Sequence, residues 1–373
     1  MSAEAPVEPV QRSGRLTSLL VGAGGAVLVL AGMRAVNGII GPTLLGFVIV
    51  VAVYPLASWL RRRSMPGWLA LVVTMLVAYG IIVVLVGGTL LTLAVFVGLL
   101  PQYSTQFDDV IDQVMQWLDG LGITTADLEN AMSSISAEQV TGAVQSAVGS
   151  VGSVLSALIL MLTVTFFIVL DSAGFPYRMA TMRGARPELA EGFGSFARGT
   201  RTYLLVATVF GGVVAIADVV LLYAVGIPYP WIWGLLAFLT GYIPNIGFII
   251  GLIPVSILAV FEGGWADLIA VVVGYCVVNF VLQSLVQPKF VGDSVGLATT
   301  VSFLSLAFWT FVLGPVGAIL AVPVTLLVKA LLLDSDPSKA WTAALIASTP
   351  RERAKGRVEA IDEFAEPDPG EGP

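Results

Sequence analysis

Long apolar runs divide this chain into membrane-length blocks, and short clusters of charge mark where the blocks end. Apolar runs cover 16–33, 36–60 and 67–100, the last stopped by Pro101. A bilayer core of about 30 Å needs roughly 20 helical residues, so each run reads as one transmembrane helix. After a polar insert at 102–147, a fourth span covers about 148–170 and a fifth about 202–225. The first run is longer than the apolar core of a secretory signal and lacks a clear small-residue cleavage site, so it reads as a retained span.

The second half keeps the hydrophobicity but loses the continuity. Between Val219 and Val328 only four of 110 residues are charged: Glu262, Asp267, Lys289 and Asp293. Trp231 to Phe261 carries no charge, and as one straight helix it would extend about 46 Å, too long for a single span. Pro244-Asn245-Ile246-Gly247 falls near its middle, and proline removes a backbone donor and clashes with the preceding turn. Two shorter helices meeting there are expected. A single span then covers about 265–286, with Glu262 and Asp267 in a loop beside Gly263-Gly264. Val295 to Val328 again breaks, at Gly314-Pro315.

The expected fold is thus an all-α integral membrane protein of about eight to ten transmembrane or re-entrant helices. It divides into a tail at 1–15, three spans at 16–100, an acidic amphipathic insert at 101–147, a core at 148–333 and a largely disordered tail at 334–373. An amphipathic helix is expected over 175–201, and residues 187–203 place Leu189, Phe193, Phe196 and Tyr203 on one face.

Charge orients the spans. Lys and Arg collect in short cytoplasmic loops, and none occurs from 64 to 177. The insert instead carries Asp108, Asp109, Asp112, Asp119, Asp127, Glu129 and Glu138. The Arg61–Arg63 loop, the 173–201 segment and both termini are therefore expected inside, and the insert outside. Within the insert, Tyr103, Phe107, Val110, Ile111, Val114, Trp117 and Leu118 share a helical face. That face serves packing, a neighbouring subunit or an outer gate. Gly149, Ser153 and Ala157 form a small-residue stripe suited to close helix packing within the chain or in a homo-oligomer.

Composition narrows the chemistry. The chain is 57% hydrophobic and 12% charged, about half the charge of a soluble domain. The net charge of −7, with basic residues only in short clusters beside apolar runs, does not suit nucleic acid. There is no histidine and a single cysteine, Cys276, which removes the commonest general base and the commonest metal ligands. No phosphate-cradling GxxxxGK[ST] loop occurs, so the chain alone is not an ATP-driven pump. An intramembrane aspartyl protease needs two facing aspartates, and only Asp218 lies well inside an apolar span. Neither enzyme activity nor a metal or cofactor is expected.

Asp218 is the first transport-pathway candidate, since a carboxylate at membrane depth costs roughly 2.5–3.5 kcal/mol and usually faces a cavity or a partner. A structural role near the outer interface is the alternative. Asn279 and Gln283, four apart on one helical face, offer donors and acceptors to a hydrated solute, or else bind neighbouring helices together. Asn245 lies at the proline break. Pro244, Gly247, Pro288, Gly292, Gly314, Pro315, Gly317 and Pro323 are expected hinges or helix breaks that expose backbone groups. Lys289 and Asp293 flank Gly292 as inner-gate candidates, or snorkel to the headgroups.

These residues also carry a resemblance. Gly241-Tyr242-Ile243-Pro244-Asn245-Ile246-Gly247, with Ile253-Pro254, resembles the IPYxGP…iP hairpin of the AI-2E family of bacterial transporters. Val286–Gly292 is similar to its xxPxxxG segment, Gly314–Pro323 to its GxxGxxLAxP pattern, and Arg198-Gly199-Thr200 to its RGQ element. The resemblance implies movement of a small solute across the bacterial plasma membrane, with autoinducer-2 export and cation/proton antiport both represented in the family. The expected function is secondary export of a small polar solute, with lipid as the surrounding partner. Antiport through Asp218 is the alternative, and a non-transporting membrane scaffold is the alternative of another class.

Overall fold

The computed structural model describes residues 13–103, 106, 110, 113, 116, 149, 151–244, 246–287 and 297–333. Every regular element among them is helical: α1 Ser13–Ala35, α2 Asn37–Arg62, α3 Gly67–Leu99, α4 Val151–Asp171, α5 Phe175–Ala185, α6 Pro187–Val225, α7 Pro230–Thr240, α8 Gly247–Asn279, α9 Thr299–Leu313 and α10 Pro315–Leu332. Helices satisfy their own backbone, which is what an apolar solvent demands. Among the described residues, six helical stretches are long and apolar enough to cross a membrane. The bundle turns large apolar side chains outward, as at Leu76, Ile159, Phe167, Leu205, Ile216 and Val273. This is the surface of a multi-pass membrane protein, with lipid as its solvent.

α2 lies at the centre of one core, where Leu45, Val48 and Ile49 pack with Ile82 of α3, Met161 of α4, and Trp309 and Leu320 of the last two helices. A side chain at Gly46 would stand 2.6 Å from Thr165 Oγ1, so α2 and α4 meet without room to spare. One end of the bundle carries Arg61–Arg63 and is called the arginine end. Tyr103 lies at the opposite end, stacked on Phe261 at 5.4 Å and hydrogen-bonded to Glu262.

The amphipathic segment differs from the expected single helix over 175–201. It winds as α5 and the start of α6, separated at Arg186, whose backbone is extended (φ −148°, ψ 77°). Pro187 is the cause, because a residue before proline is pushed out of the α region. α6 then continues unbroken for 39 residues to Gly226, which adopts a left-handed cap (φ 95°) and gives its N–H to Leu222.

The breaks organise the second half. α7 has 11 residues, about 16 Å, half a membrane. The chain turns through 241–246 and returns along α8. An unbroken α8 would hold Gly247 and Asn279 about 48 Å apart, yet both line one cavity. α8 folds back at Gly264, the one residue in it with non-helical angles (φ 69°, ψ −153°). The loop expected around Glu262 and Asp267 is thus a one-residue turn. The Asp267 carboxylate fills the space a Gly263 side chain would need. α9 and α10 repeat this geometry at Gly314 (φ 68°, ψ −154°). Pro315 opens α10, whereas Pro323, expected as a helix break, lies inside an unbroken α10. A side chain at Gly317 would stand 1.9 Å from the Trp309 carbonyl oxygen, so that glycine serves close approach within the hairpin.

Candidate functional site

α6 lines a cavity of about 430 Å³ with a stripe at helical spacing: Tyr203, Ala207, Phe210, Val214 and Asp218. Fifteen residues of helix make this wall about 22 Å long. The facing wall is the tip of the α7–α8 hairpin, through Gly241, Ile243, Pro244, Gly247 and Phe248. A side chain at Gly241 would come within 3.6 Å of the Gly211 Cα, and one at Gly247 within 1.9 Å of the Thr240 carbonyl oxygen. The two glycines let the tip turn tightly and lie against α6. Two hydrogen bonds hold it there: Tyr203 Oη donates to the Tyr242 carbonyl at 2.6 Å, and Thr208 Oγ1 meets Tyr242 Oη at 2.8 Å.

The third wall is the returning arm of α8, through Tyr275, Asn279, Gln283, Ser284 and Gln287. Asn279 Nδ2 donates to the Tyr275 carbonyl at 2.9 Å, and Gln283 Nε2 donates to Asn279 Oδ1 at 2.6 Å. These bonds stay within one helix, so the amides form a polar ladder on the cavity wall. Directly after Asn279 the backbone becomes a π-helix, Phe280–Val286. In an α-helix a four-residue spacing drifts about 40° per step. The wider π winding keeps the polar positions near 283 and 287 on the cavity side, in a conformation common at functional sites. Leu297, Thr299, Ser302 and Val322 close the remaining side.

Asp218 is fully buried, and neither carboxylate oxygen has a hydrogen-bond partner among the described residues. The Tyr275 hydroxyl, in the same cavity, is likewise without one. Such groups are costly in a packed interior unless a ligand, a proton or water answers them. One turn beyond Asp218 the polar lining ends. Leu222, Ile232, Trp233, Val255 and Val271, none with any exposed surface, form a dry layer between the cavity and the Tyr103 end. Polar lining runs the other way, to Gln287.

The structure therefore gathers Asp218, Asn279, Gln283, Pro244 and Gly247 around one space. Gly314, Pro315, Gly317 and Pro323 belong to the α9–α10 hairpin and do not line it. Asn245, Pro288, Lys289, Gly292 and Asp293 lie outside the described residues, as do most of the insert and both tails. Tyr203, Tyr275, Ser284, Gln287, Thr299 and Ser302 are polar lining residues that the sequence analysis did not single out as site candidates. Tyr275 stands in register with Asn279 and Gln283 at successive fourth positions, a signal visible in the sequence.

A polar cavity walled by broken hairpins inside an apolar bundle defines the class, a multi-pass membrane transporter. The AI-2E family transporter model matches residues 24–335, and the chain belongs to that family. It is 29% identical over 306 residues to the AI-2 transport protein TqsA of Escherichia coli K12, covering 81% of this chain and 88% of that one. A Haemophilus influenzae protein, provisionally named as a transport protein, is 27% identical over 342 residues, 90% of this chain and 98% of its own. YhhT of Escherichia coli K12, provisionally named in the same way, is 28% identical over 303 residues, 81% of this chain and 86% of its own.

Proposed function

We propose that this transporter is a secondary exporter of a small polar solute, autoinducer-2 or a molecule of similar size and hydroxyl content, across the bacterial plasma membrane. The observation that carries the reading is the cavity along α6, in which Asp218 and the Asn279–Gln283 ladder offer acceptors and donors within an otherwise apolar bundle. Its volume suits a small hydrated molecule. The name of TqsA favours autoinducer-2 among such solutes.

The arginine end is taken as cytoplasmic, following the distribution of Lys and Arg. The cavity then takes solute from inside, and the dry layer around Trp233 is the outer barrier that must part. Alternating exposure comes from movement of the α7–α8 hairpin tip, which is joined to α6 by side-chain hydrogen bonds and glycine contacts.

A second reading, cation/proton antiport, is favoured by the unpaired Asp218 oxygens. Proteoliposomes loaded with autoinducer-2 and a pH-sensitive dye separate the two. Solute export predicts protein-dependent loss of autoinducer-2 that Asp218→Asn or Asn279→Leu reduces. Antiport predicts a lumenal pH change on a sodium pulse, abolished by Asp218→Asn, with no solute flux. Absence of both signals would overturn the transport assignment of this cavity.

A further inference from the structure

A second cavity, of about 750 Å³, lies on another side of α6, between α2, α3, α7 and α10. Its walls are almost wholly aliphatic, with Val48, Ala52, Ile81, Leu85 and Leu205 among them. Along α2 it extends from Leu45 to Pro55, about 15 Å of helix. Gly80 in its wall is exposed, and a side chain built there would meet no atom within 4 Å. The groove is therefore open at the lipid-facing surface of α3.

Among the described residues, Arg201 is the one charged residue that lines it. Its Nε donates to the Val51 carbonyl at 2.8 Å, and its guanidinium lies 5.7 Å from the centre of the Tyr54 ring. No carboxylate pairs with it among the described residues, where the one arginine–carboxylate pair joins Arg178 to Asp171. The terminal guanidinium nitrogens remain for a ligand. Along α2, Tyr54 stands five residues, about 8 Å, from exposed Trp59, which lies under the Arg63 guanidinium at 4.4 Å, an arrangement of aromatic and basic side chains typical of headgroup depth.

We propose that this groove binds one anionic glycerophospholipid, with its phosphate on Arg201 and an acyl chain along the α2–α3–α6 walls. The groove is too apolar for a hydrated solute, while an unneutralised arginine at one end of a greasy slot matches a molecule with an anion at one end of an aliphatic chain. A planar guanidinium with two free nitrogens suits phosphate oxygens. The site also touches the transport machinery, because Tyr242 of the hairpin tip is part of its wall. An occupied groove braces that tip from the side away from the polar cavity. This inference stands apart from the solute reading.

The test uses the full chain, purified, stripped of lipid in detergent and examined by native mass spectrometry. Phosphatidylglycerol and phosphatidylethanolamine with identical chains are titrated in parallel. One phosphatidylglycerol is expected to be retained about tenfold more tightly than phosphatidylethanolamine. Arg201→Gln should erase that preference. Gly80→Phe, which fills the groove and leaves the arginine in the sequence, should release the lipid from a protein that remains monodisperse; it decides the matter even where Arg201→Gln fails to fold. Inorganic phosphate should not displace the lipid. Equal retention of the two lipids, undiminished binding in monodisperse Gly80→Phe, or displacement by inorganic phosphate would each overturn the proposal.

Discussion

Arg201 takes the place of a missing backbone donor: its Nε–H reaches the Val51 carbonyl at 2.8 Å. Four residues along α2 stands Pro55, whose nitrogen has no hydrogen to return to that carbonyl. In lipid no water substitutes, so the orphaned acceptor needs a side chain from elsewhere in the protein. α6 supplies it, and the proline that weakens one helix becomes the point at which two are joined.

The relationship has a measurable coupling. Arg201→Met should lower stability by about 2 kcal/mol, the order expected for a hydrogen bond with a charged donor. In a Pro55→Ala background the helix regains its own donor, and the same substitution should cost about 1 kcal/mol less. A double-mutant cycle of denaturant unfolding in detergent checks this. Additive losses would mean that Arg201 and Pro55 act independently.

Gly247 and Gly212 should behave in opposite ways. A methyl at Gly247 would sit 1.9 Å from the Thr240 carbonyl oxygen, so Gly247→Ala must open the hairpin tip. Overpacking of this kind costs about 1–3 kcal/mol. At Gly212, on α6, no atom lies within 4 Å of the added methyl, and alanine should be neutral or stabilising by up to about 1 kcal/mol. Thermal unfolding of the two variants compares them directly, and flux should fall in Gly247→Ala alone.

Asp218→Asn should separate stability from transport. The carboxylate is buried without a partner among the described residues, so a neutral amide of the same shape breaks no hydrogen bond or ion pair seen there. The melting temperature should hold or rise while flux falls. A variant that melts early and transports normally would assign Asp218 to packing instead.

Much of this architecture is legible in the sequence. The break at Pro244–Gly247 and the turn at Gly314 follow from backbone chemistry and spacing, because proline and glycine act locally. Asn279 and Gln283 could be placed on one helical face for the same reason. The sharp turn at Gly264 was hidden, since two adjacent glycines between Glu262 and Trp265 suit a loop as well as a one-residue reversal. The π-helix after Asn279 left no periodic trace in seven residues. Pro323 looks like Pro244 in a string of letters, yet α10 carries it without breaking. Tyr203 reads as an ordinary apolar-face aromatic in the sequence, and only the fold brings it to the same cavity as Tyr275.

The boundary between Asp218 and Leu222 fixes which residues solvent should reach. Polar lining continues from Asp218 through Asn279 to Gln287, whereas Leu222, Trp233 and Val271 beyond it are apolar, completely buried and no part of the cavity wall. In a Cys276→Ser background, cysteines at Ser284 and Gln287 should therefore react with a membrane-impermeant thiol reagent applied from the arginine side of sealed vesicles. A cysteine at Val271 should stay unreactive from that side. Solute at saturating concentration should protect Ser284→Cys, because it would occupy the same wall as the Asn279–Gln283 ladder. Reaction of the Val271 position from the arginine side would mean that the dry layer does not close the path, and the cavity would have to be read as a continuous pore.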